Sequence, residues 1–189
     1  MFEYKDIFTK DVNADYVAAI GWQLLVSETT FDFGYINSYL EAANRLLEQR
    51  VPDLYVYPIM FCCRQYRELS LKNICQKDMA EQDYINFIRK ASHNLNEIWK
   101  ETQKHLNAFN ITDEEQINFM NNTVNDFNLI DPTSFSFRYP QDKSMNKSLE
   151  NHFSRNDNGT VKQLLIDLKS VSENLGKFDS IIRHTYDTI

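Results

Sequence analysis

Residues 55–75, YVYPIMFCCRQYRELSLKNIC, decide the fold. The stretch reads as a helix that is apolar nearly all round, as a helix at the centre of a core is. Ile59, Cys62, Cys63, Tyr66 and Leu69 fill one side, while Tyr57, Met60, Phe61, Leu71 and Cys75 fall in the other sector. That second sector also carries Arg64, Arg67, Glu68 and Lys72. Arg64, Glu68 and Lys72 stand four residues apart and so lie within about 80° of one another on a helix. Charges on a buried helix are costly unless they are paired or face a wet cleft. The ladder therefore reads either as plain intrahelical pairing or as a site in which Glu68 orients Arg64 and Lys72 toward a phosphate or carboxylate.

Outward from this helix, the chain of 189 residues with 42% apolar content can bury one ordinary core, and a single domain over 1–189 is expected. Only four glycines and four prolines punctuate it, which favours an all-α chain, an antiparallel helical bundle. Residues 14–28 and 34–50 read as helices, the second with Ile36, Tyr39, Leu40, Ala43, Leu46 and Leu47 at helical spacing. Pro52 and Asp53 open the central helix, with Asp53 as its cap. A short helix is predicted over 83–90, another after a Ser92 cap through Leu95, Ile98, Trp99 and Leu106, and a third from a Thr112–Glu115 capping box to about 129. Trp22 and Trp99 are expected in the core.

The stretch 131–160 breaks the pattern with Pro132, Pro140 and Gly159, and reads as a loop insertion. Phe135, Phe137 and Tyr139 alternate with Ser134, Ser136 and Arg138, which predicts a short extended strand at 134–139. A long C-terminal helix is predicted over 160–187. In it Val161, Leu164, Leu168, Val171, Leu175, Phe178 and Ile182 form a heptad seam that either packs on its own bundle or joins two chains.

Twenty basic and 27 acidic residues give a net charge of −7, which excludes a broadly basic nucleic-acid surface and leaves room for a local basic cleft. Cys62, Cys63 and Cys75 lie in one helix and suggest neither a disulfide framework nor a zinc site. With no apolar leader and no membrane-length apolar run, the expected location is cytoplasmic. No glycine-rich phosphate loop, nucleophile elbow or metal cluster is present in the sequence, so no cofactor and no metal are expected.

YPIMFCCRQYRELSLKNI resembles the central helix of a bacterial group related to the HEPN domains (higher eukaryotes and prokaryotes nucleotide-binding), through Arg64, Glu68, Leu69 and Lys72. SHNLNEIW, residues 92–99, and SFRYPQDK, residues 136–143, are similar to two further landmarks of that group and occur in the same order. The resemblance covers roughly residues 54–143. It implies a helical bundle, often dimeric, in toxin–antitoxin and phage-defence systems, where many members are metal-independent ribonucleases. The ribonuclease signature, Arg-x(4-6)-His, is missing: His93, His105, His152 and His184 have no arginine at that spacing, and Arg89 to His93 comes nearest.

Arg64, His93 and Arg138 are the candidate catalytic set, with Arg64 on a phosphate and His93 as acid or base. Glu68, Lys72 and Tyr139 are the candidate ligand-binding residues, and Arg64, Glu68, Lys72, His93 and Arg138 are expected to converge on one cleft. The expected function is binding of RNA or a nucleotide-like anion, with or without cleavage. The alternatives are a non-catalytic antitoxin, immunity or adaptor module acting through protein contacts, or a structural bundle whose polar ladder is a buried network. A homodimer through the C-terminal helix, a protein partner and no membrane complete the expectations.

Overall fold

The computed structural model describes residues 28–155, 158–159, 162–183 and 185, with 18 and 20 as isolated positions. The protein is all-α, with six helices among the described residues: α1 (Glu28–Leu47), α2 (Pro52–Asp78), α3 (Glu81–Ala91), α4 (Leu95–Thr102), α5 (Glu114–Ile130) and α6 (Leu168–Ile182). Two short 3-10 turns and a two-residue antiparallel ladder, β1 (Ser154–Arg155) with β2 (Lys162–Gln163), complete the described elements.

The helix read from residues 55–75 is the axis of the molecule. α2 runs for 27 residues, about 40 Å at the helical rise, and packs most extensively on α1, then on α4. Ile36, Leu40 and Ala43 recur at three- and four-residue spacing on α1 and are buried in one core cluster with Ile59, Cys63, Tyr66 and Ile74 of α2. Trp99 of α4 enters the same cluster, as expected, and its indole N–H donates to Asn121 Oδ1 of α5 at 3.1 Å. Tyr66 donates its hydroxyl proton to Asp179 Oδ1 of α6 at 2.6 Å, which ties the last helix to α2.

Several expected boundaries shift, each for a local reason. The helix expected over 14–28 lies outside the described residues apart from Ala18, Ile20 and Glu28, as does Trp22, and Glu28 instead begins α1. Val51, with no capping side chain, precedes α2, with Pro52 in its first turn; Asp53 acts through its charge rather than as the cap. Ser92 ends α3 in a positive-φ conformation (49°) and Asn94 caps α4. Asp113, not Thr112, caps α5 by accepting from Glu115 and Gln116 N–H. The expected helix over 160–187 begins only at Leu168, because Asp167 accepts from the Lys169 and Ser170 N–H groups and because 162–163 belong to β2.

The strand expected at 134–139 is a coil of turns. Ser134 adopts a positive φ (59°), and the Arg138 and Tyr139 N–H groups both donate to Phe135 O, a helical rather than an extended pattern. The alternation is thereby lost: Phe137 is buried while Phe135 and Tyr139, four residues apart, stack with ring centroids 4.7 Å apart. Leu175, Phe178 and Ile182 of the heptad seam bury in the chain's own core, and Val161 lies outside the described residues. Leu164, Leu168 and Val171 of the same seam are half-buried. No helix among the described residues is long and apolar enough to cross a membrane.

Candidate functional site

The charged ladder of α2 is buried and closed. Arg64 is 0% and Glu68 1% exposed. The Arg64 fork spends its donors on four acceptors: Nη1 on Glu68 Oε2 at 2.6 Å, Nε on Asp131 O at 3.0 Å, and Nη2 on His93 O at 2.6 Å and, longer, on Pro132 O at 3.5 Å. Asp131 Oδ2 adds a second carboxylate 3.6 Å from Nε. Lys72 Nζ donates to Glu68 Oε1 and to Ser92 O, each at 2.7 Å. His93 Nδ1 lies 2.9 Å from the same Glu68 oxygen, with its ring half exposed at 50%.

The cluster sums to two cations and two carboxylates, so it is neutral as well as hydrogen-bonded. That is the condition under which a buried ion network is tolerated. Burial alone would push the Glu68 carboxyl up. The ammonium of Lys72 and the guanidinium of Arg64 outweigh it and hold the carboxyl below the usual carboxylate range. Ser92 O and His93 O follow the last turn of α3, where unpaired carbonyls attract cations, so Lys72 and Arg64 strap the α3–α4 junction to α2.

On the other side the network holds the 131–138 turn. Asp131 Oδ1 accepts from the Phe135 and Ser136 N–H groups at 2.7 and 2.9 Å, while Gln65 Nε2 donates to Ser134 Oγ at 3.1 Å. Sequence reasoning missed Asp131, the second counter-ion of Arg64. The signal was present in IDPTS, an aspartate before proline with turn residues behind it.

The expected convergence is partial. Arg64, Glu68, Lys72 and His93 come together, whereas Arg138 forms no ion pair with Glu68 among the described residues. Its Nε donates to Ser134 O and its guanidinium lies 5.6 Å from the centroid of the Tyr139 ring. Arg138 and Tyr139 line a separate cleft of about 660 Å³, together with Tyr57, Phe137, Lys147 and Phe153. Among the described residues no carboxylate lines it. Tyr57 and Tyr139 are about half exposed, and no acidic partner pairs with Arg138 or Lys147 among the described residues. The loop that brings Lys147 there is fixed by Asp142, whose carboxylate accepts from the N–H groups of Ser144 and Asn146, and by a Gln141–Lys147 bridge.

No group of three or more metal-ligating side chains is present among the described residues. A scan against protein-family models, a search of curated proteins and a search of solved structures each return no match.

Proposed function

We propose that the protein is a HEPN-like component of a prokaryotic defence or toxin–antitoxin system that binds RNA or a nucleotide-like anion in the cleft of Tyr57, Arg138, Tyr139 and Lys147. The observation that carries this reading is the cleft itself. On a chain of net charge −7, two cations stand beside two half-exposed tyrosine rings, with no acidic partner and no carboxylate in the lining among the described residues. Phosphates suit the cations, and base stacking on an aromatic ring is worth about 1–3 kcal/mol per base.

Binding without cleavage is the reading adopted. Arg64, the arginine expected to stabilise a transferring phosphate, has its fork committed to Glu68, Asp131 and two backbone carbonyls. Its role here is to position the turn that carries Arg138 and Tyr139. An adaptor acting through protein contacts is the second reading, favoured by Val51, Leu54 and Tyr57, which are exposed along one face at the start of α2.

The test is a fluorescence-anisotropy titration of a labelled single-stranded RNA at low salt, for the wild type and for Arg138→Ala/Lys147→Ala. The expected result is a loss of roughly tenfold or more in the double variant, with the slope of log affinity against log salt reduced by about 1.4, the share of two phosphate contacts. RNA binding that is absent, or equal in both proteins, overturns the reading. RNA cleavage that His93→Ala abolishes overturns the preference for binding alone.

A further inference from the structure

Arg67, the second arginine of α2, is as deeply buried as Arg64, at 1% exposed, but its surroundings are of the opposite kind. Its guanidinium lies over two aromatic rings, 4.7 Å from the centroid of Phe127 and 5.4 Å from that of Phe178. Its one hydrogen bond among the described residues runs from Nη1 to Cys63 O at 2.9 Å, and Nε has no partner. The Cys63 thiol is a weak polar neighbour, and Asp126 acts only as a charge at a distance. No carboxylate reaches ion-pair distance of Arg67 among the described residues, and burial, the dominant influence, pulls the guanidinium below its usual pKa.

A buried cation with five donors and one hydrogen bond is an incomplete arrangement. Aromatic faces soften the cost and do not satisfy the N–H groups. Arg67 also lines a cavity of about 240 Å³ whose other walls are mostly apolar: Met60, Phe127, Ile130, Ile166 and Val171. Leu129 and Leu165, which are 71% and 78% exposed, stand where it opens to solvent.

Asp167 lines the same cavity, but its oxygens accept from the N–H groups of Lys169 and Ser170 and from the Ser170 hydroxyl, and it forms no ion pair with Arg67 among the described residues. Asp126 is exposed on the outer wall.

We propose that this cavity is a binding site for a small carboxylic acid with an aliphatic or aromatic tail, its carboxylate on Arg67 and its tail among Met60, Ile130, Ile166 and Val171. The apolar walls set the ligand class. They reward burial of a hydrocarbon tail and disfavour a phosphate, which would bring its hydration shell into a lining with one cation to offset it. A planar carboxylate matches the fork of a guanidinium in a way a hydroxyl does not. The site is independent of the tyrosine-lined cleft, since the two linings share no residue.

The experiment is isothermal titration of the full chain with octanoate and with octanol, which carries the same tail without the charge. The expected result is saturable one-to-one binding of octanoate, roughly tenfold or more tighter than octanol. Arg67→Met, which keeps the apolar volume, brings octanoate down to the level of octanol. Leu165→Asp, at an exposed position that leaves the core untouched, weakens octanoate several-fold at low salt. Octanoate and octanol binding equally to the wild type overturns the proposal, as does octanoate affinity that Leu165→Asp leaves unchanged or the absence of saturable octanoate binding.

Discussion

Arg64 bridges Glu68 and Asp131, residues 63 positions apart in the chain, and also holds the backbone of His93. Truncating it leaves Asp131 in the core without its cation and Glu68 with Lys72 alone. Arg64→Ala is expected to cost about 3–5 kcal/mol, read as a fall in the urea midpoint, and Arg64→Lys to restore only part, because an ammonium cannot serve four acceptors set out for a fork. Glu68 carries a pH dependence whose sign follows from its depressed carboxyl. A carboxylate stabilised in the fold contributes fully above its unfolded pKa of about 4.3 and loses that contribution as pH falls through the lower folded value. The stability gap between wild type and Glu68→Gln, measured by urea titration, should be wide at pH 7 and narrow at pH 3; a gap that does not change would show that Glu68 titrates alike folded and unfolded. Spacing alone made Arg64, Glu68 and Lys72 legible as a ladder, and the likeness of SHNLNEIW to a known segment pointed to His93. Asp131 was not legible, because a counter-ion supplied by a distant turn leaves no periodic mark. Arg138 was expected beside Glu68 from its place next to an aromatic residue on the irregular segment, and the turn instead sets it against Ser134 O and the Tyr139 ring.

Among the elements, the buried faces of α1 and α6 follow from three- and four-residue spacing, while the helix ends depend on which of two neighbouring polar residues reaches the free N–H groups. ITDEEQ offers Thr112 and Asp113 as rivals, and the aspartate wins with a 2.7 Å bond to Glu115 N. Asp113→Ala is therefore expected to lower stability by about 1 kcal/mol, and Asp167→Ala by a similar amount at the start of α6. Thr112→Ala, at the position the sequence favours, should cost no more than a few tenths of that; chemical denaturation of the three variants side by side checks the assignment. The same limit explains 134–139. Alternation of aromatic and polar residues fits a strand, but the pattern cannot register the positive φ of Ser134 or the pull of Asp131 Oδ1 on the Phe135 and Ser136 N–H groups. A buried carboxylate has curled into a turn what local composition would leave extended.

At the scale of the whole molecule, the scarcity of glycine and proline was enough to indicate helices throughout, and α2 at the centre follows from its apolar circumference. This arrangement places all three cysteines on the axis of the core, where Cys62, Cys63 and Cys75 are free thiols and buried. Burial pushes each thiol upward, Cys75 to about 11, although the Thr102 hydroxyl partly opposes the shift there. The thiolate is the reactive species, so a thiol that is both inaccessible and protonated at pH 8 cannot attack a disulfide reagent from the folded state. Reaction must wait for α2 to leave the core, and because α1, α4 and α6 all pack on α2, that event amounts to global opening rather than local fraying. Native protein mixed with a chromogenic disulfide at pH 8 should therefore release almost no colour in the time that protein in denaturant releases three equivalents. The slow native rate should rise in step with the lost stability in Arg64→Ala, since the population of the open form sets it. A fast equivalent from the folded wild type would mean that the first turns of α2 open separately from the rest of the core.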